Sequence, residues 1–365
     1  MGNNLLDRNN LQNILPDISS SILKKSKKAI IILVDGFGYF NLLEAAAYTP
    51  FIRENLKNIK QFKTVIPSTT SCALVSFSTG ASPGLTGILG YRQLNPKTGL
   101  LANFLADANI DGVPTFENSK SSKIQTVFSQ KKKLGLSSAS VQEAQFKKSY
   151  LTNLYCQGTD IVSGSRTRTR VNKAIELSKT YDLVYLYYSK IDRRGHGFGV
   201  YSESWFDAVS EFDAYLQKIY REAEPGTLIY FTADHGMINK DKNKQYDIAE
   251  HPALQENIKA IGGEPRFLYL YLENPDAIDS TLEKWKDFFG DDAQILKRDE
   301  FIKYAYQEKI NKEFIPSIGE IVVICKGQAT ILDGRTKHPN AKLMIGLHGS
   351  DSEIETSIPL FAIEK

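Results

Sequence analysis

The sequence contains few thiols, since only three of its 365 residues are cysteines: Cys72, Cys156 and Cys325. Three cysteines so far apart provide neither a disulfide framework nor a thiolate zinc site, and they fit a reducing compartment. Residues 1–20, "MGNNLLDRNNLQNILPDISS", are polar throughout and lack the apolar core of a signal peptide. We therefore expect a cytoplasmic protein.

Long apolar runs and a dominant charge sign are also missing. No run of about 18 apolar residues occurs, so no membrane span is expected. The net charge is only +3 with 24% charged residues, which suggests neither a nucleic-acid duplex nor an anionic membrane as a partner. The basic runs are interpreted as solvated faces because none is interleaved with aromatic residues. They are Lys24–Lys28, Lys131–Lys133, and the set Arg166, Arg168 and Arg170.

Three apolar runs are present and have the form of strands buried on both faces. They are "AIIILVDGFG" (29–38), "YDLVYLYYSKID" (181–192) and "TLIYFTADHG" (227–236). Between the last two, "SESWFDAVSEFDAYLQKIYREA" places apolar residues at helical spacing. This βαβ order predicts an α/β fold with a mostly parallel central sheet flanked by helices. The stretch 71–80 predicts a short helix that ends at Gly80.

The texture of the chain divides it into three parts. Residues 1–28 form an N-terminal extension, and residues 29–239 together with 341–365 form the α/β core. Residues 240–340 alternate charged helical pieces with short strands and predict an α+β insertion, which we expect to shape specificity. Without repeats or a low-complexity linker, a single elaborated domain is favoured over two independent ones.

Each of the three strands delivers an aspartate at its carboxyl end: Asp35, Asp192 and Asp234. Any one of them alone could start a turn, cap a helix or form an exposed pair. Together they indicate a site, because ligands bind at this edge of an open parallel sheet. His196 follows Asp192 by four residues and His235 follows Asp234 directly. A mixed set of Asp and His suits Zn²⁺ or a similar ion, and three carboxylates suggest more than one ion.

The ordered motifs "VDGFG", "PSTTSCALVSFSTG", "DRRGHGFG", "TADHGM" and "GLHGSD" resemble those of the alkaline phosphatase superfamily, in particular the type I phosphodiesterase/nucleotide pyrophosphatase branch. The resemblance spans residues 35 to 351 and implies two zinc ions, with manganese as an alternative. One ion is implied to be held by Asp35, Asp234, His235 and the nucleophile. The other is implied to be held by a further set: Asp192, His196 and His348.

The family's spacing before a Thr-Gly pair implies that Thr70 is the nucleophile. A hydroxyl at a helix amino end faces free N–H groups that also attract phosphate, which agrees with this assignment. Ser68 and Thr69 are the rivals and Ser71 is a weaker one, while N-capping is the structural alternative for all of them.

One motif departs from the family pattern, since Tyr91 stands where nucleotide pyrophosphatases carry an asparagine. Tyr91, Arg92 or Asn95 is the candidate for the substrate contact, and Arg92 is attractive because its planar fork matches phosphate. Arg266 is a further candidate from the insertion. The two histidines that the resemblance leaves out are interpreted as structural (His251) and as ordinary surface (His338).

The sequence thus predicts a hydrolase of small phosphorylated substrates, such as nucleotides. It would cleave phosphodiester or pyrophosphate bonds through a threonyl-phosphoryl intermediate. The alternatives on the same metal site are a phosphomonoesterase and a phosphonoacetate hydrolase. A remote alternative is a non-catalytic metal-binding scaffold.

Overall fold

The computed structural model describes residues 9–25, 27–105, 108–109, 124–335 and 340–365. His338 and the first eight residues of the predicted N-terminal extension lie outside these ranges. The helices of the described residues are α1 (Leu11–Lys25), α2 (Tyr39–Glu44), α3 (Pro50–Glu54), α4 (Thr70–Thr79), α5 (Pro83–Thr86), α6 (Val127–Lys132), α7 (Tyr150–Tyr155), α8 (Thr167–Leu177), α9 (Lys190–Phe198), α10 (Glu203–Glu222), α11 (Pro252–Gln255), α12 (Ile278–Phe289), α13 (Arg298–Tyr306), α14 (Asn340–Leu343) and α15 (Glu353–Thr356).

The strands of the described residues form five sheets. They are β1 (Ala29–Val34), β2 (Ile59–Lys63), β3 (Arg92–Leu94), β4 (Leu101–Asn103), β5 (Ala108–Asn109), β6 (Ser138–Glu143), β7 (Asp160–Gly164), β8 (Leu183–Tyr188), β9 (Leu228–Thr232), β10 (Ile238–Asn239), β11 (Gln245–Asp247), β12 (Ile258–Glu264), β13 (Phe267–Leu272), β14 (Ala293–Lys297), β15 (Ile321–Cys325), β16 (Thr330–Leu332), β17 (Gly346–Leu347) and β18 (Ser357–Glu364).

The largest sheet, called the central sheet here, has seven strands in the order β2-β18-β9-β1-β8-β6-β7. The five strands from β9 to β7 are parallel to one another. Only β18 runs antiparallel to its neighbours β9 and β2. The predicted α/β fold with a mostly parallel sheet is therefore confirmed.

Helices cover both faces of the central sheet, as the continuous apolar strands predicted. Along β1, Ile31 and Leu33 pack into the core on one face, while Ile30 and Ile32 pack into the core on the other. The predicted helix after β8 is α10, whose hydrophobic face lies in the second core. Alternation of side chains along a doubly buried strand explains why its sequence is apolar at every position.

The helix that begins at Thr70 is buried and packs against α1. All residues of α4 from Thr70 to Ser78 are buried, and the helix ends at Gly80, which has the left-handed φ of 71°. A Cβ at Gly80 would lie 3.0 Å from Pro16 of α1, so the two helices approach closely there. The predicted short helix is confirmed, and its packing against α1 fixes the position of its first residue.

A second sheet has four antiparallel strands in the order β12-β13-β15-β14. Trp285 and Phe289 of α12 pack on one of its faces, and Phe301 and Tyr306 of α13 pack on the other. Three further small sheets, β3-β4-β5, β10-β17 and β11-β16, link these parts. Within the described residues, no helix combines the length and apolar character needed to cross a membrane.

One interpretation of the basic runs is wrong. Arg170 is only 2% exposed, and its Nη2 lies 3.1 Å from Glu143 Oε1. Arg170 lies on the buried side of α8 and pairs there with Glu143, the last residue of β6. Arg166 and Arg168 are exposed, as expected.

Candidate active site

Three neighbouring parallel strands bring their aspartates to one edge of the central sheet. Asp35 directly follows β1, Asp234 follows β9 by two residues, and Asp192 lies in the first turn of α9 just after β8. Since β9, β1 and β8 are adjacent and parallel, their carboxyl ends coincide. All three carboxylates are buried.

Asp35, Asp234, His235 and Thr70 form the first group of the site. His235 Nε2 lies 3.4 Å from Asp35 Oδ1 and 3.5 Å from Asp234 Oδ2. Thr70 Oγ1 lies 3.1 Å from the same nitrogen. Ligand atoms of Asp35, Asp234 and His235 all lie within 4.8 Å of one another. This compact arrangement of oxygen and nitrogen atoms can hold one divalent cation.

Asp192, His196 and His348 form the second group. His196 is one helical turn after Asp192, and its Nε2 lies 3.2 Å from Asp192 Oδ1. His348 Nε2 lies 3.9 Å from the same oxygen. His235 lies between the two groups, because its ring stacks on that of His348 with centroids 3.6 Å apart. Ligand atoms of Asp192, His235 and His348 also lie within 4.8 Å of one another. The structure thus brings all six predicted side chains and Thr70 into one cluster.

His348 is positioned by backbone pairing outside the central sheet, and not by one of the central strands. The two-residue strand β17 pairs antiparallel with β10, so Leu347 lies opposite Ile238. Gly349 forms a bridge with Ser68, whose N–H donates to the Gly349 carbonyl over 3.1 Å. These two contacts place His348 between the loop after His235 and the loop before Thr70.

Hydrogen bonds orient the imidazoles so that their Nε2 atoms face the pocket. His196 Nδ1 lies 2.8 Å from the Gly346 carbonyl oxygen, and His348 Nδ1 lies 3.0 Å from the Ser68 carbonyl oxygen. Each Nδ1–H donates to its carbonyl, which turns Nε2 toward the carboxylates. His235 Nδ1 has a similar contact of 3.2 Å with the Gly236 oxygen.

Buried carboxylate oxygens point to cations as the missing partners. Among the described residues, Asp35 Oδ1, Asp192 Oδ1 and Asp234 Oδ2 are buried and accept no hydrogen bond. An unpaired buried carboxylate oxygen is costly, and a bound cation removes that cost. Together with the inward-facing Nε2 atoms of the histidines, this donor set fits a pair of zinc-like ions.

The pKa values show how strongly the carboxylates and imidazoles interact. Burial raises the pKa of Asp35, and the nearby Asp192 and Asp234 raise it further. Burial also raises the pKa of Asp234, against the effect of His235. Burial would lower the pKa of His196, but Asp192 raises it to about 9. The pKa of His348 is far below its ordinary value because of burial and the neighbouring His235 and His196.

The hydroxyl groups of Ser68 and Ser71, on either side of Thr70, are engaged elsewhere. Ser68 Oγ donates to the Ser350 carbonyl over 2.6 Å, and Ser71 Oγ donates to the Gly90 carbonyl over 3.0 Å. The Thr69 hydroxyl lies beside the Glu264 carboxyl and lowers its pKa. Thr70, the first residue of α4, is the member of this set whose hydroxyl contacts His235. Its position at the helix start also faces N–H groups that have no partner within the helix.

A cavity of about 440 Å³ opens over the two groups of ligands. Tyr91 and Arg92 line it. Arg92 Nε donates to the Gly263 carbonyl over 3.2 Å, while its buried Nη1 has no hydrogen-bond partner among the described residues. Burial lowers the pKa of Arg92. An arginine that lines the cavity and keeps an unused donor can bind an anionic oxygen.

Asn95 does not reach this cavity. It lies in the turn between β3 and β4, where its Oδ1 accepts from Lys97 N over 3.0 Å, and it is not among the cavity-lining residues. The sequence analysis named Asn95 as a candidate substrate contact because the residues after Tyr91 do not reveal the hairpin that turns Asn95 away from the cavity.

Arg266 and His251 also lie away from the ligands. Arg266 is fully buried and forms a bidentate ion pair with Glu355, at 3.1 Å and 2.6 Å. It therefore ties the second sheet to α15 and does not face the cavity. His251 packs its ring against Phe288 with centroids 4.6 Å apart, as the structural interpretation expected.

Glu264 is a candidate site residue that the sequence analysis missed. It ends β12 and lines the cavity, and its Oε2 lies 3.6 Å from His348 Nδ1. Burial raises its pKa to about 8. The sequence "GGEPRF" resembles an ordinary hairpin turn, so no signal distinguished this carboxyl from a solvated one. Tyr187, whose hydroxyl donates to Asp35 Oδ2, was hidden in the same way within β8.

Comparison with known proteins agrees with this geometry. The sequence matches the type I phosphodiesterase/nucleotide pyrophosphatase family over residues 29–351. No curated protein sequence matches the chain.

Solved structures share the fold at low sequence identity. An inactive threonine-to-alanine variant of murine ectonucleotide pyrophosphatase/phosphodiesterase 5, in complex with AMP, superposes with a TM-score of 0.72 at 16% identity and covers 92% of this chain and 87% of that chain. The human enzyme gives a TM-score of 0.69 at 16% identity, covering 92% and 87%. Phosphonoacetate hydrolase from Sinorhizobium meliloti 1021, in complex with phosphonoformate, gives a TM-score of 0.69 at 18% identity, covering 92% and 89%.

The family match covers most of the chain, including every strand end that carries a candidate ligand. The chain therefore belongs to the type I phosphodiesterase/nucleotide pyrophosphatase family of hydrolases, within the alkaline phosphatase superfamily.

Proposed function

We propose that the protein hydrolyses phosphodiester or pyrophosphate bonds of small phosphorylated substrates, through a threonyl-phosphoryl intermediate and with two bound metal ions. The observation that carries this proposal is the contact between Thr70 Oγ1 and His235 Nε2, 3.1 Å apart, within a pocket of buried carboxylates. The inactive threonine-to-alanine variant of the murine neighbour supports a threonine nucleophile in this fold.

Asp35, Asp234, His235 and Thr70 would hold one ion, and Asp192, His196 and His348 would hold the other. Zinc is the favoured identity because both groups mix carboxylate and imidazole, with manganese as the alternative. When bound, such ions lower the pKa of a coordinated hydroxyl and offset the charge on the non-bridging oxygens of phosphate.

Thr70 acts as the nucleophile in this proposal. Its Oγ1 forms a bond to phosphorus while the bond from phosphorus to the leaving oxygen breaks, and the leaving group takes up a proton. Water then attacks the phosphothreonine, which releases the phosphorylated product and restores the hydroxyl. The N–H groups at the start of α4 and the unused Nη1 of Arg92 would stabilise the transferred phosphoryl oxygens.

The cavity supports a small organic phosphate as substrate. Apolar side chains such as Leu74, Phe104 and Phe146 line it beside Arg92. These surfaces suit a nucleoside or another partly apolar group, and a structural neighbour binds AMP.

A phosphonoacetate hydrolase is the second candidate, because a structural neighbour with that activity superposes at a TM-score of 0.69. A phosphomonoesterase is a third candidate, since Arg92 lies in the cavity and supplies the extra cation that monoester specialists use. A non-catalytic scaffold is disfavoured because the nucleophile and all six ligands are intact.

The decisive experiment compares turnover of zinc-loaded protein on bis-p-nitrophenyl phosphate, p-nitrophenyl phosphate and phosphonoacetate. We expect the highest kcat/KM on the diester. A large preference for the monoester or for phosphonoacetate would replace the proposed activity by the corresponding alternative. Absence of turnover on all three, with both ions bound, would favour the scaffold.

A further inference from the structure

A second concave surface, called the basic groove here, lies beside the catalytic cavity. It encloses about 550 Å³ and is lined by five basic side chains and one carboxylate, together with small polar groups. The charged residues are Arg166, Arg168, Lys190, Arg193, Arg194 and Glu211. They follow β7 and β8, so the groove lies at the same edge of the central sheet as the metal ligands.

The carboxylates near the groove do not balance these cations. Lys190 pairs with Glu211. Arg193 pairs with Glu143, with Nη1 at 2.8 Å from Oε2, but Glu143 is shared with the buried Arg170. Among the ion pairs of the described residues, none includes the three remaining groove cations, Arg166, Arg168 and Arg194. The groove therefore keeps an excess of positive charge.

The start of α8 makes this excess costly for the protein alone. Arg166 is the residue before the helix and Arg168 lies in its first turn, where no acidic residue occurs. Cations at the positive end of a helix are unfavourable, whereas anions are attracted there. An anion in the groove would be attracted both by the guanidinium groups and by this helix end.

The groove and the catalytic cavity share a wall. Arg193 lines both, and it follows the candidate metal ligand Asp192 directly in α9. Glu143 at the end of β6 holds both of its terminal nitrogens, at 2.8 Å and 3.2 Å. Arg193 is thus the boundary between the two, and a ligand that extends from the cavity along this side chain would reach the groove.

We propose that the basic groove binds a second phosphate group of the substrate while the first is at Thr70. This inference rests on the proposed function and names the substrate class as organic phosphates that carry a further phosphate beyond the scissile one. Arginine is suited to this role because its planar fork donates two parallel hydrogen bonds to phosphate oxygens. Three arginines without carboxylate partners supply more than enough positive charge to neutralise a dianionic phosphate.

The test uses two substrates that differ by a single phosphate: thymidine 5′-(p-nitrophenyl phosphate) with and without a 3′-phosphate. The double variant Arg166→Gln/Arg168→Gln is compared with the wild type. For the wild type we expect kcat/KM to be about tenfold higher on the 3′-phosphorylated ester, and the variant should lose this preference. On the ester without the 3′-phosphate, the two proteins should agree within about twofold.

The control is Lys284→Gln/Lys286→Gln, which removes the same charge from exposed positions of α12 and should keep the preference. A wild type that hydrolyses both esters equally, or a groove variant that keeps the preference, overturns the groove assignment. A wild type that hydrolyses neither ester counts against the proposed function instead. In that case, affinities for thymidine 3′,5′-bisphosphate and thymidine 5′-monophosphate, measured by calorimetry, test the groove independently. Equal affinities in the wild type would overturn it, as would an unchanged ratio in the groove variant.

Discussion

The central sheet and the second sheet are both covered on two faces, but they supply the candidate site very differently. Parallel strands β9, β1 and β8 end at one edge and bring three aspartates together. In the antiparallel second sheet, successive strands end at opposite edges, so residues at strand ends are dispersed. It contributes Glu264 and the Gly263 carbonyl to the cavity wall. Because of its strand direction, the central sheet brings the candidate ligands together, whereas the second sheet contributes residues to the wall of the cavity.

The largest effect should come from Thr70, the proposed nucleophile at the start of α4. Thr70→Ala should lower kcat by about 10⁴-fold or more while both ions stay bound, because the other ligands remain in place. Rates on bis-p-nitrophenyl phosphate and elemental analysis of the same preparations would check this.

A matched control lies at the other end of α4. Thr79 donates its hydroxyl to the Val75 carbonyl over 2.7 Å, so Thr79→Ala should keep turnover near the wild-type rate. A Thr70→Ala enzyme that is nearly as active as this control would show that another group is the nucleophile.

The Arg266–Glu355 ion pair, which ties the second sheet to α15, should matter more for stability than for catalysis. Arg266→Ala should lower the free energy of unfolding by about 3–5 kcal/mol, because it leaves the buried Glu355 carboxylate without its partner. Urea unfolding measures this change.

Removal of both charges tests the physical reason. Arg266→Met/Glu355→Leu should be more stable than Arg266→Ala, since no buried charge is left unpaired. If the double variant is less stable than Arg266→Ala, the intact ion pair itself stabilises the protein, and the unpaired carboxylate is not the main cost of Arg266→Ala.

A smaller, pH-dependent effect is expected at the end of β6. Burial raises the pKa of Glu143, but Arg193, Ser189 and Arg170 outweigh burial and hold it below its ordinary value of 4.5. Because the folded-state pKa is the lower one, the stabilisation is complete above pH 4.5 and disappears as the pH falls through the folded value. Glu143→Gln should therefore cost roughly 3 kcal/mol at pH 7 and progressively less in acid.

Thermal or urea unfolding of Glu143→Gln at several pH values would check this prediction. Glu176→Gln removes a carboxylate from an exposed pair with Lys179 and should change stability little at any pH. A pH-independent loss in Glu143→Gln would mean that packing, and not charge, accounts for the effect.

The smallest effect is expected from the second sheet's own contribution to the site. Glu264→Gln keeps the shape of the side chain beside His348 and the contact with Thr69, so we expect about a tenfold loss of affinity for the second ion. Competition with a chelator of known affinity measures it, with the exposed Glu250→Gln as control. Complete loss of that ion would make Glu264 a direct ligand, and unchanged affinity would remove it from the site.

The central sheet was predictable because its strands are apolar at every position and end in aspartates. Asp35, Asp192 and Asp234 follow from this pattern and from the rule that parallel strands share an edge. His196 follows from helical spacing, one turn after Asp192. These inferences are local, so a sequence is sufficient to make them.

Residues placed by long-range pairing were not predictable from local pattern. His348 follows a strand of two residues, which is too short to recognise, and only the family resemblance identified it. Asn95 was expected near the substrate and Arg170 in solvent, but a hairpin and a buried carboxylate decide their positions. Glu264 escaped notice because its burial depends on how the second sheet docks against the loop of Thr69.

The pairing of β10 with β17 and the bridge from Ser68 to Gly349 also set an order of assembly. As the chain is synthesised, Asp35, Thr70, Asp234 and His235 are available early, whereas His348 arrives 280 residues after Ser68. The second group of candidate ligands is complete only after the whole intervening segment has folded and returned. If a second ion binds there as proposed, its uptake would report completion of folding, and a chain interrupted before residue 346 would lack the strand that carries His348 to the site.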